Sequence, residues 1–215
     1  MVSTRSHFPP QILAEGIAAL GLSLPADAPA RLLAYQAELL KWNTAYNLTA
    51  IREPQLVVTR HLLDSLSLLP HLNDGALLDV GSGAGLPALV LAIARPELPV
   101  IALDSNGKKA RFMRHAVRAL HIDNARVIEG RVEDLASGET FPQITSRAFA
   151  RLADFVVLTR HLLAPGGQWV AMKGKLDAGE RAALPADCQL AATHRLQVPG
   201  LAEDRHAVIL KVQTP

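Results

Sequence analysis

Short apolar segments alternate with amphipathic segments of helical period from residue 77 to the end of the chain. Apolar runs this short, bounded by turn residues, are typical of buried strands. The predicted strands are Leu77–Val80, Val100–Asp104, Ala125–Glu129, Ile144–Arg147, Gln168–Lys173, Leu190–Val198 and Ala207–Val212. The predicted helices between them are Pro87–Ala94, Lys108–Leu120 and Leu152–Leu163. The alternation predicts an α/β fold with a mostly parallel seven-stranded sheet, and the last two strands, with no helix between them, are expected to form an antiparallel hairpin.

The residues before the first predicted strand show only helical periodicity. The three predicted helices here are Gln11–Leu22, Ala30–Trp42 and, ended by Pro70, about Pro54–Leu69. A polar turn, Asn73-Asp74-Gly75, separates this part from the first strand. We therefore predict an N-terminal helical extension over residues 1–73 and a Rossmann-like domain over residues 74–215.

The first predicted strand runs directly into a glycine-rich stretch, Gly81-Ser82-Gly83-Ala84-Gly85-Leu86-Pro87. Glycines allow a sharp turn and the close approach of a ligand, and Pro87 suits the first turn of a helix. The N-terminus of that helix presents free N–H groups. The stretch predicts a nucleotide-cofactor site, and the alternative is a tight turn that binds no ligand.

The spacing of the glycines disfavours two common phosphate-binding loops. A dinucleotide loop needs a small residue where this chain has Leu86, and a Walker loop needs a lysine after the last glycine. The order Asp79-x-Gly81-x-Gly83-x-Gly85 resembles motif I of the Rossmann-like S-adenosylmethionine methyltransferases. This resemblance implies that the glycines admit the ribose and methionine portions of the cofactor and that Asp79 faces its amino-acid end.

Two further polar positions follow strands at the same edge of the predicted sheet. Asp104 ends the second strand, where a carboxylate can accept hydrogen bonds from both ribose hydroxyls, but it also suits the N-cap of the next helix. The turn after the third strand carries Val132 and Glu133, whose backbone groups are candidate contacts for adenine. Helix capping by Glu133 and Asp134 is the alternative interpretation of this turn.

The composition is that of an ordinary globular protein. The 215 residues are 49% hydrophobic and 20% charged, and a net charge of +2 does not by itself indicate nucleic-acid binding. A single cysteine, Cys188, excludes an internal disulfide, as is usual in the reducing cytosol. The longest apolar run, Leu86–Ala94, is too short for a membrane span, and Met1–Pro10 lacks a signal-peptide core. We therefore expect a cytoplasmic protein. We also expect it to work as a monomer.

The segment after the fourth predicted strand narrows the choice of methyl acceptor. Methyltransferases of adenine and cytosine amino groups have an Asp/Asn-Pro-Pro-aromatic tetrapeptide here, whereas this chain has Ser146-Arg147-Ala148-Phe149. Methylation of a pyrimidine carbon 5 needs a nucleophilic thiolate, and Cys188 lies far downstream without a motif around it. A ring nitrogen such as guanine N7 stays possible, because its lone pair needs alignment and no general base.

Several short motifs follow one another in a fixed order along the chain. They are Asn47-Leu48-Thr49, His61-Leu62-Leu63-Asp64-Ser65-Leu66, the stretch from Asp79 to Pro87, Asp104-Ser105-Asn106-Gly107-Lys108-Lys109, Ser146-Arg147-Ala148, Lys173-Gly174 and Arg205-His206. Together they resemble the small-subunit rRNA guanine-N7 methyltransferase family, known as RsmG or GidB. The resemblance covers roughly Tyr35 to Lys211, and the one departure noted, Ala84 where many relatives have proline, makes the loop slightly less rigid.

The family resemblance implies methylation of N7 of guanine 527 in 16S rRNA within the small ribosomal subunit, with S-adenosylmethionine as the methyl donor. The cofactor contacts that it implies are Gly81, Leu86, Val132, Glu133 and Arg147. With Asp79, Gly83 and Asp104 these residues form the predicted cofactor site, for which no metal is expected. Two alternatives stay open: a methyltransferase of a non-RNA substrate on the same fold, and a catalytically silent RNA-binding protein.

Other candidate residues also have a purely structural interpretation. Arg147 either binds a carboxylate or phosphate, or forms a surface ion pair. His61 and Asp64 either face the sheet edge together or serve packing, and Asn47 and Thr49 either contact a ligand or cap a turn. Arg205-His206 is a further candidate contact for RNA. A basic helix face, which either contacts RNA phosphates or is simply solvated, comprises Lys108, Arg111, His115 and Arg118.

Overall fold

The sheet of this protein has seven strands, all of them within the residues that the computed structural model describes, namely 8–135, 138–147, 149, 151–175 and 178–213. The strands are β1 (Leu77–Val80), β2 (Val100–Asp104), β3 (Ala125–Glu129), β4 (Phe141–Ser146), β5 (Leu163–Lys173), β6 (Cys188–Arg195) and β7 (His206–Val212). Their order in the sheet is β3-β2-β1-β4-β5-β7-β6. Strands β1 to β5 are parallel, and β7 is antiparallel to β5 and β6. The predicted fold class is thus confirmed.

The first three strands coincide with the predicted strands, whereas the other four differ at their ends. Strands β4 and β5 begin earlier than predicted, β6 ends at Arg195 instead of Val198, and β7 begins at His206. Pro142 lies in β4 and Pro165 in β5, and prolines at such positions predict turns. Because the pairing of β4 with β5 also shifts register near its start, the outer parts of these strands were not predictable from the apolar pattern.

Eight α-helices are found among the described residues, and none of them is both long and apolar enough to cross a membrane. They are α1 (Pro9–Ala19), α2 (Ala28–Tyr46), α3 (Pro54–Val57), α4 (Asp64–Leu66), α5 (Ala88–Ala94), α6 (Gly107–Ala119), α7 (Leu152–Thr159) and α8 (Ala178–Ala182). Short 3-10 turns occupy Leu69–His71, Val132–Asp134 and Arg160–Leu162. The sequence pattern did not predict α8.

Helices α3 and α4 are the two ends of one helical run, whose middle, Val58–Leu63, is a π-helix. The helix predicted from Pro54 is therefore present, but it is not a regular α-helix. The wider π turn carries His61 and leads directly to Asp64. Such turns often occur at functional sites, which makes this run a candidate wall of the site.

The alternation of side chains along the strands divides the core into two layers. Leu77 and Val100 belong to one layer, and Leu78 and Ile101 to the other. Buried residues of α1, α2, α5 and α6 pack in the first layer, and those of α7 pack in the second. The N-terminal helices thus share one continuous core with the sheet. The domain boundary near residue 73 stays a prediction.

A buried tyrosine joins helix α2 to the glycine-rich loop. The Tyr35 hydroxyl donates a hydrogen bond to the carbonyl oxygen of Ala84 over 2.7 Å. Burial raises the pKa of Tyr35, so that its hydroxyl is a neutral donor at physiological pH. On the same helix, Arg31 donates to the carbonyl oxygen of His121, beyond α6, over 2.9 Å. The helical extension therefore fixes the position of the loop.

Removal of the Tyr35 hydroxyl should destabilise the protein. In Tyr35→Phe the buried carbonyl of Ala84 loses its donor, at a cost of about 1–3 kcal/mol in the free energy of unfolding, while the ring can still pack near Phe112. Urea unfolding measures this loss. The matched control is Tyr46→Phe, whose half-buried ring stacks on Trp42 and which should stay within about 0.5 kcal/mol of the parent. Equal losses of unfolding free energy in both variants would show that the hydrogen bond from Tyr35 to Ala84 does not stabilise the protein.

Candidate active site

Three adjoining cavities follow the carboxyl edge of the parallel strands, where open α/β sheets bind ligands. The first lobe, of about 480 Å³, lies at the ends of β1, β2 and β3. The middle lobe, of about 200 Å³, shares Gly81 and Lys109 with it. The basic lobe, of about 300 Å³, shares His61 and Arg147 with the middle lobe. Because neighbouring lobes share wall residues, the three lie side by side, and we call them together the cleft.

The glycine-rich loop forms a wall of the first and middle lobes. The N–H groups of Gly81 and Ser82 donate to the carbonyl oxygen of Leu103 over 2.8 and 2.9 Å. Gly83 has a φ of +61°, and a Cβ atom built there meets no protein atom within 4 Å. The space beside the backbone at residue 83 is therefore open, as the proposed entry of a ligand requires.

Asp104 holds the glycine-rich loop from the side of β2. One carboxylate oxygen accepts from the N–H of Gly83 over 2.7 Å, and the other accepts from the N–H of Asn106 over 2.8 Å. The N-cap of α6 is Asn106, whose side chain accepts from the N–H groups of Lys108 and Lys109. Asp104 is thus not the helix cap. It lines the first lobe, and its contact with ribose stays a prediction.

Asp79 is fully buried near the loop. Its Oδ2 accepts from the N–H of Ala88 over 3.2 Å, whereas its Oδ1 has no hydrogen-bond partner among the described residues. Burial raises the pKa of Asp79 to about 7, although the hydrogen bond from Ala88 and the charge of Arg147 act in the opposite direction. The predicted contact of Asp79 with the amino-acid end of the cofactor stays a prediction.

His61 is held neutral between the middle and basic lobes. Its Nδ1 lies 3.0 Å from the carbonyl oxygen of Arg60, which can only accept, so Nδ1 carries the proton. Its Nε2 then accepts from the hydroxyl of Thr49 over 2.8 Å. Burial, with a further contribution from the charge of Arg147, lowers the pKa of His61 to about 4. His61 is therefore an uncharged wall of the cleft.

The connection between α2 and α3 is fixed by side chains that sequence reasoning only partly identified. The Asn43 amide accepts from the N–H of Thr49 over 2.9 Å and donates to its carbonyl oxygen over 3.0 Å. Asn47 is the C-cap residue of α2, in a left-handed conformation, and its side chain accepts from Arg52, which fits the structural one of its two interpretations. Buried Asn43 had no sequence signal, because one amide within an amphipathic helix is unremarkable.

Arg147 follows β4 and forms an ion pair inside the cleft instead of on the surface. Its Nη1 donates to Oδ2 of Asp64 over 3.0 Å. The Asp64 side chain is only 2% exposed, and its Oδ1 lies 3.2 Å from Nε of Arg205 without forming a hydrogen bond. The structure thus joins Arg147 to two of the other predicted candidates. Neighbouring Ala148 lies outside the described residues.

The structure brings most of the predicted cofactor residues together. The first lobe is lined by Gly81, Asp104, Val132 and Glu133, and the middle lobe by Gly81, Gly83, Leu86 and Arg147. Lining residues that the sequence analysis did not assign to the cofactor site include the basic side chain of Lys109 and three apolar ones, Leu48, Phe149 and Leu158. Apolar residues of this kind give no functional signal in a sequence, because they look like core residues.

The basic face predicted on α6 is divided in the structure. Lys108, Arg111 and Arg118 are exposed. His115 instead contacts the carboxylate of Glu38 over 2.7 Å and packs against the ring of Trp42. Contact of the three exposed cations with RNA phosphates stays a prediction.

The cleft fits S-adenosylmethionine by three observations. The two lobes at the glycine-rich loop have the volume of a small-molecule site. Open space beside Gly83 admits the ligand, and Asp104 provides a carboxylate at the lobe wall. Asp79, in contrast, is fully buried and lines neither of these lobes.

Solved methyltransferases share this fold. TrmN from Thermus thermophilus aligns with a TM-score of 0.56 at 20% identity, over 80% of this chain and 53% of that chain. The glycopeptide N-methyltransferase MtfA, in its complex with S-adenosylmethionine, aligns with a TM-score of 0.55 at 15% identity, over 72% and 88%. At these identities the likeness shows the fold. The fold is therefore that of the Rossmann-like S-adenosylmethionine-dependent methyltransferases.

Sequence relatives narrow this class to one family. The family model GidB, described as rRNA small subunit methyltransferase G, matches residues 29–208. Proteins named ribosomal RNA small subunit methyltransferase G are 53% identical over 200 residues in Methylobacillus flagellatus and 54% identical over 198 residues in Chromohalobacter salexigens. These alignments cover 93% and 92% of this chain, and 97% and 94% of the relatives. The chain belongs to the GidB family.

A methyl group added at residue 83 should weaken cofactor binding. In Gly83→Ala the new side chain enters the open middle lobe, and we expect the dissociation constant of S-adenosylhomocysteine to rise about tenfold or more. Isothermal titration calorimetry measures this change. Gly21→Ala is the matched control, because Gly21 has a similar φ of +66° and open space around it but lies outside the cleft. An unchanged affinity of Gly83→Ala for S-adenosylhomocysteine would show that the ligand does not bind beside Gly83.

Neutral His61 should make stability depend on pH. Because its pKa is about 4 in the folded state, against the ordinary histidine value of 6.5 in the unfolded chain, the unfolded chain binds more protons between these values. The contribution of His61 is full above about pH 6.5, and about 1–3 kcal/mol is lost as the pH falls to about 4. The raised pKa of Asp79 has the opposite effect between its usual value and about 7.

The difference between the parent and His61→Asn isolates this contribution, because the effect of Asp79 is largely common to both proteins. Urea unfolding at several pH values should show that the stability advantage of the parent over the variant shrinks from pH 7 to pH 4. A constant difference across this range would show that His61 is not held neutral by burial.

Proposed function

We propose that this protein transfers a methyl group from S-adenosylmethionine to N7 of guanine 527 in 16S rRNA within the small ribosomal subunit. The observation that carries the proposal is that the glycine-lined middle lobe and a lobe lined by cations lie side by side, with His61 and Arg147 in the walls of both. Membership in the GidB family and relatives named ribosomal RNA small subunit methyltransferase G support it. The proposal includes a monomeric enzyme of the cytoplasm.

The first and middle lobes have distinct roles in holding the cofactor. Asp104 accepts hydrogen bonds from the ribose, and the backbone at Val132 and Glu133 contacts the adenine in the first lobe. The glycine-rich loop and Leu86 enclose the methionine portion in the middle lobe. The bound cofactor supplies an electrophilic methyl group on a sulfonium. The walls of the middle lobe exclude water around it, since Leu48 and Leu86 are buried there.

The chemistry at the acceptor requires alignment more than proton transfer. Guanine N7 is unprotonated at neutral pH and lies on the major-groove edge, so its lone pair attacks without a general base. Neutral His61 and ion-paired Arg147 stand where the lobes meet, and they suit walls that orient the guanine. The target base has to leave the helical stack to reach this point.

Transfer to the proposed nucleotide can be measured directly. Small subunits that lack the modification are incubated with the protein and labelled S-adenosylmethionine, and the rRNA is digested and mapped by mass spectrometry. We expect one N7-methylguanosine at position 527, formed by the parent and by Gly21→Ala at similar rates and more slowly by Gly83→Ala.

The alternatives give different results in the same experiment. Cofactor binding without transfer to any RNA would indicate a silent RNA-binding protein or a non-RNA substrate. A methyl group on another nucleotide would overturn the proposed position but not the enzyme class.

A further inference from the structure

The basic lobe is not needed to hold the cofactor, and its lining is unusual in charge. Four cationic side chains, Arg60, Arg147, Lys173 and Arg205, line about 300 Å³ together with one carboxylate, that of Asp64. Arg60 pairs with Glu203 and Lys173 pairs with Glu180, and neither glutamate lines the lobe. When these two glutamates and Asp64 are counted, the four cations keep a net charge of +1, which favours an anionic ligand.

Asp64 holds two of these arginines in place. Its carboxylate is almost completely buried, whereas the side chains of Arg147 and Arg205 are 26% and 27% exposed. Arg147 donates to one carboxylate oxygen, Nε of Arg205 lies 3.2 Å from the other, and Nη1 of Arg205 donates to the carbonyl oxygen of Asp204. One buried negative charge thus positions two guanidinium groups beside a cavity.

The two arginines keep a surplus of positive charge after this pairing, because they share one carboxylate. Guanidinium groups match the geometry of phosphate oxygens, and arginines that are already positioned lose less side-chain entropy when they bind. The basic lobe is also next to the reacting position, since His61 and Arg147 line both it and the middle lobe.

We infer that the basic lobe binds the phosphodiester of the target nucleotide, with Arg147 and Arg205 as its contacts and Asp64 as their positioning residue. This inference rests on the proposed function. A base that enters the middle lobe edge-on carries its own phosphate towards these arginines. The exposed cations of α6 lie on a convex helix face. They are therefore suited to contact the RNA on either side of the target nucleotide, and not the extruded nucleotide itself.

The test compares Arg205→Ala, Arg205→Lys and Asp64→Asn with the parent in methyl transfer to small subunits. We expect Arg205→Ala to raise KM for the subunits about tenfold and to reduce the slope of log kcat/KM against log salt by about 1, the value for one lost phosphate contact. Arg205→Lys should recover part of the loss. The control is Arg195→Ala, an exposed arginine paired with Asp204 on the same hairpin, which should leave KM and the slope unchanged.

Three results would overturn the inference. If the parent methylates subunits and Arg205→Ala has the same KM and salt slope as the parent, the basic lobe does not bind RNA phosphate. If the parent itself does not methylate subunits, that result counts against the proposed function instead. If Asp64→Asn lowers only the melting temperature and leaves the salt slope unchanged, Asp64 is not a positioning residue. Inorganic phosphate should compete with the subunits, and it should therefore raise KM of the parent at constant kcat. An effect on kcat alone would show that phosphate does not compete with the subunits for the basic lobe.

Discussion

The hydrogen bonds that hold the loop between β1 and α5 open are the constraint on which this site depends. The loop is fixed on one side by the carboxylate of Asp104 and the carbonyl of Leu103, both on β2. On the other side it is fixed by the hydroxyl of Tyr35 from the N-terminal helices. Backbone polar groups at a turn must find partners, and these partners leave the open side of Gly83 to a ligand.

Charge is distributed unevenly along the cleft. The carboxylate of Asp104 lines the lobe at the loop end, together with Lys109 and Arg131. Arginines dominate the other end, where they are paired with Asp64 or Glu203. Neutral His61 separates the two regions. This arrangement places the surplus of cations at the end that we propose for the polyanionic acceptor, while Arg147 lines both the basic and the middle lobe.

The sequence predicted the parts of the molecule that local patterns specify. Strands β1 to β3 match residue for residue, because β1 and β2 are apolar runs next to turn residues and β3 carries the apolar residues Ala125, Val127 and Ile128. The glycine-rich loop and Asp104 were identified for the same reason, since they lie at strand ends. The pairing of Asp64 with Arg205 and the hydrogen bond from Tyr35 to Ala84 were not predictable, because they join residues that are remote in the chain. The π-helix over Val58–Leu63 was also not predicted, because apolar periodicity does not report the width of a helical turn.

The crystal structure of this chain with S-adenosylhomocysteine tests the account most directly. We expect electron density for the ligand in the first and middle lobes, with the ribose at Asp104 and the homocysteine portion beside Gly83. Density for the ligand elsewhere, or side chains filling these two lobes, would contradict it.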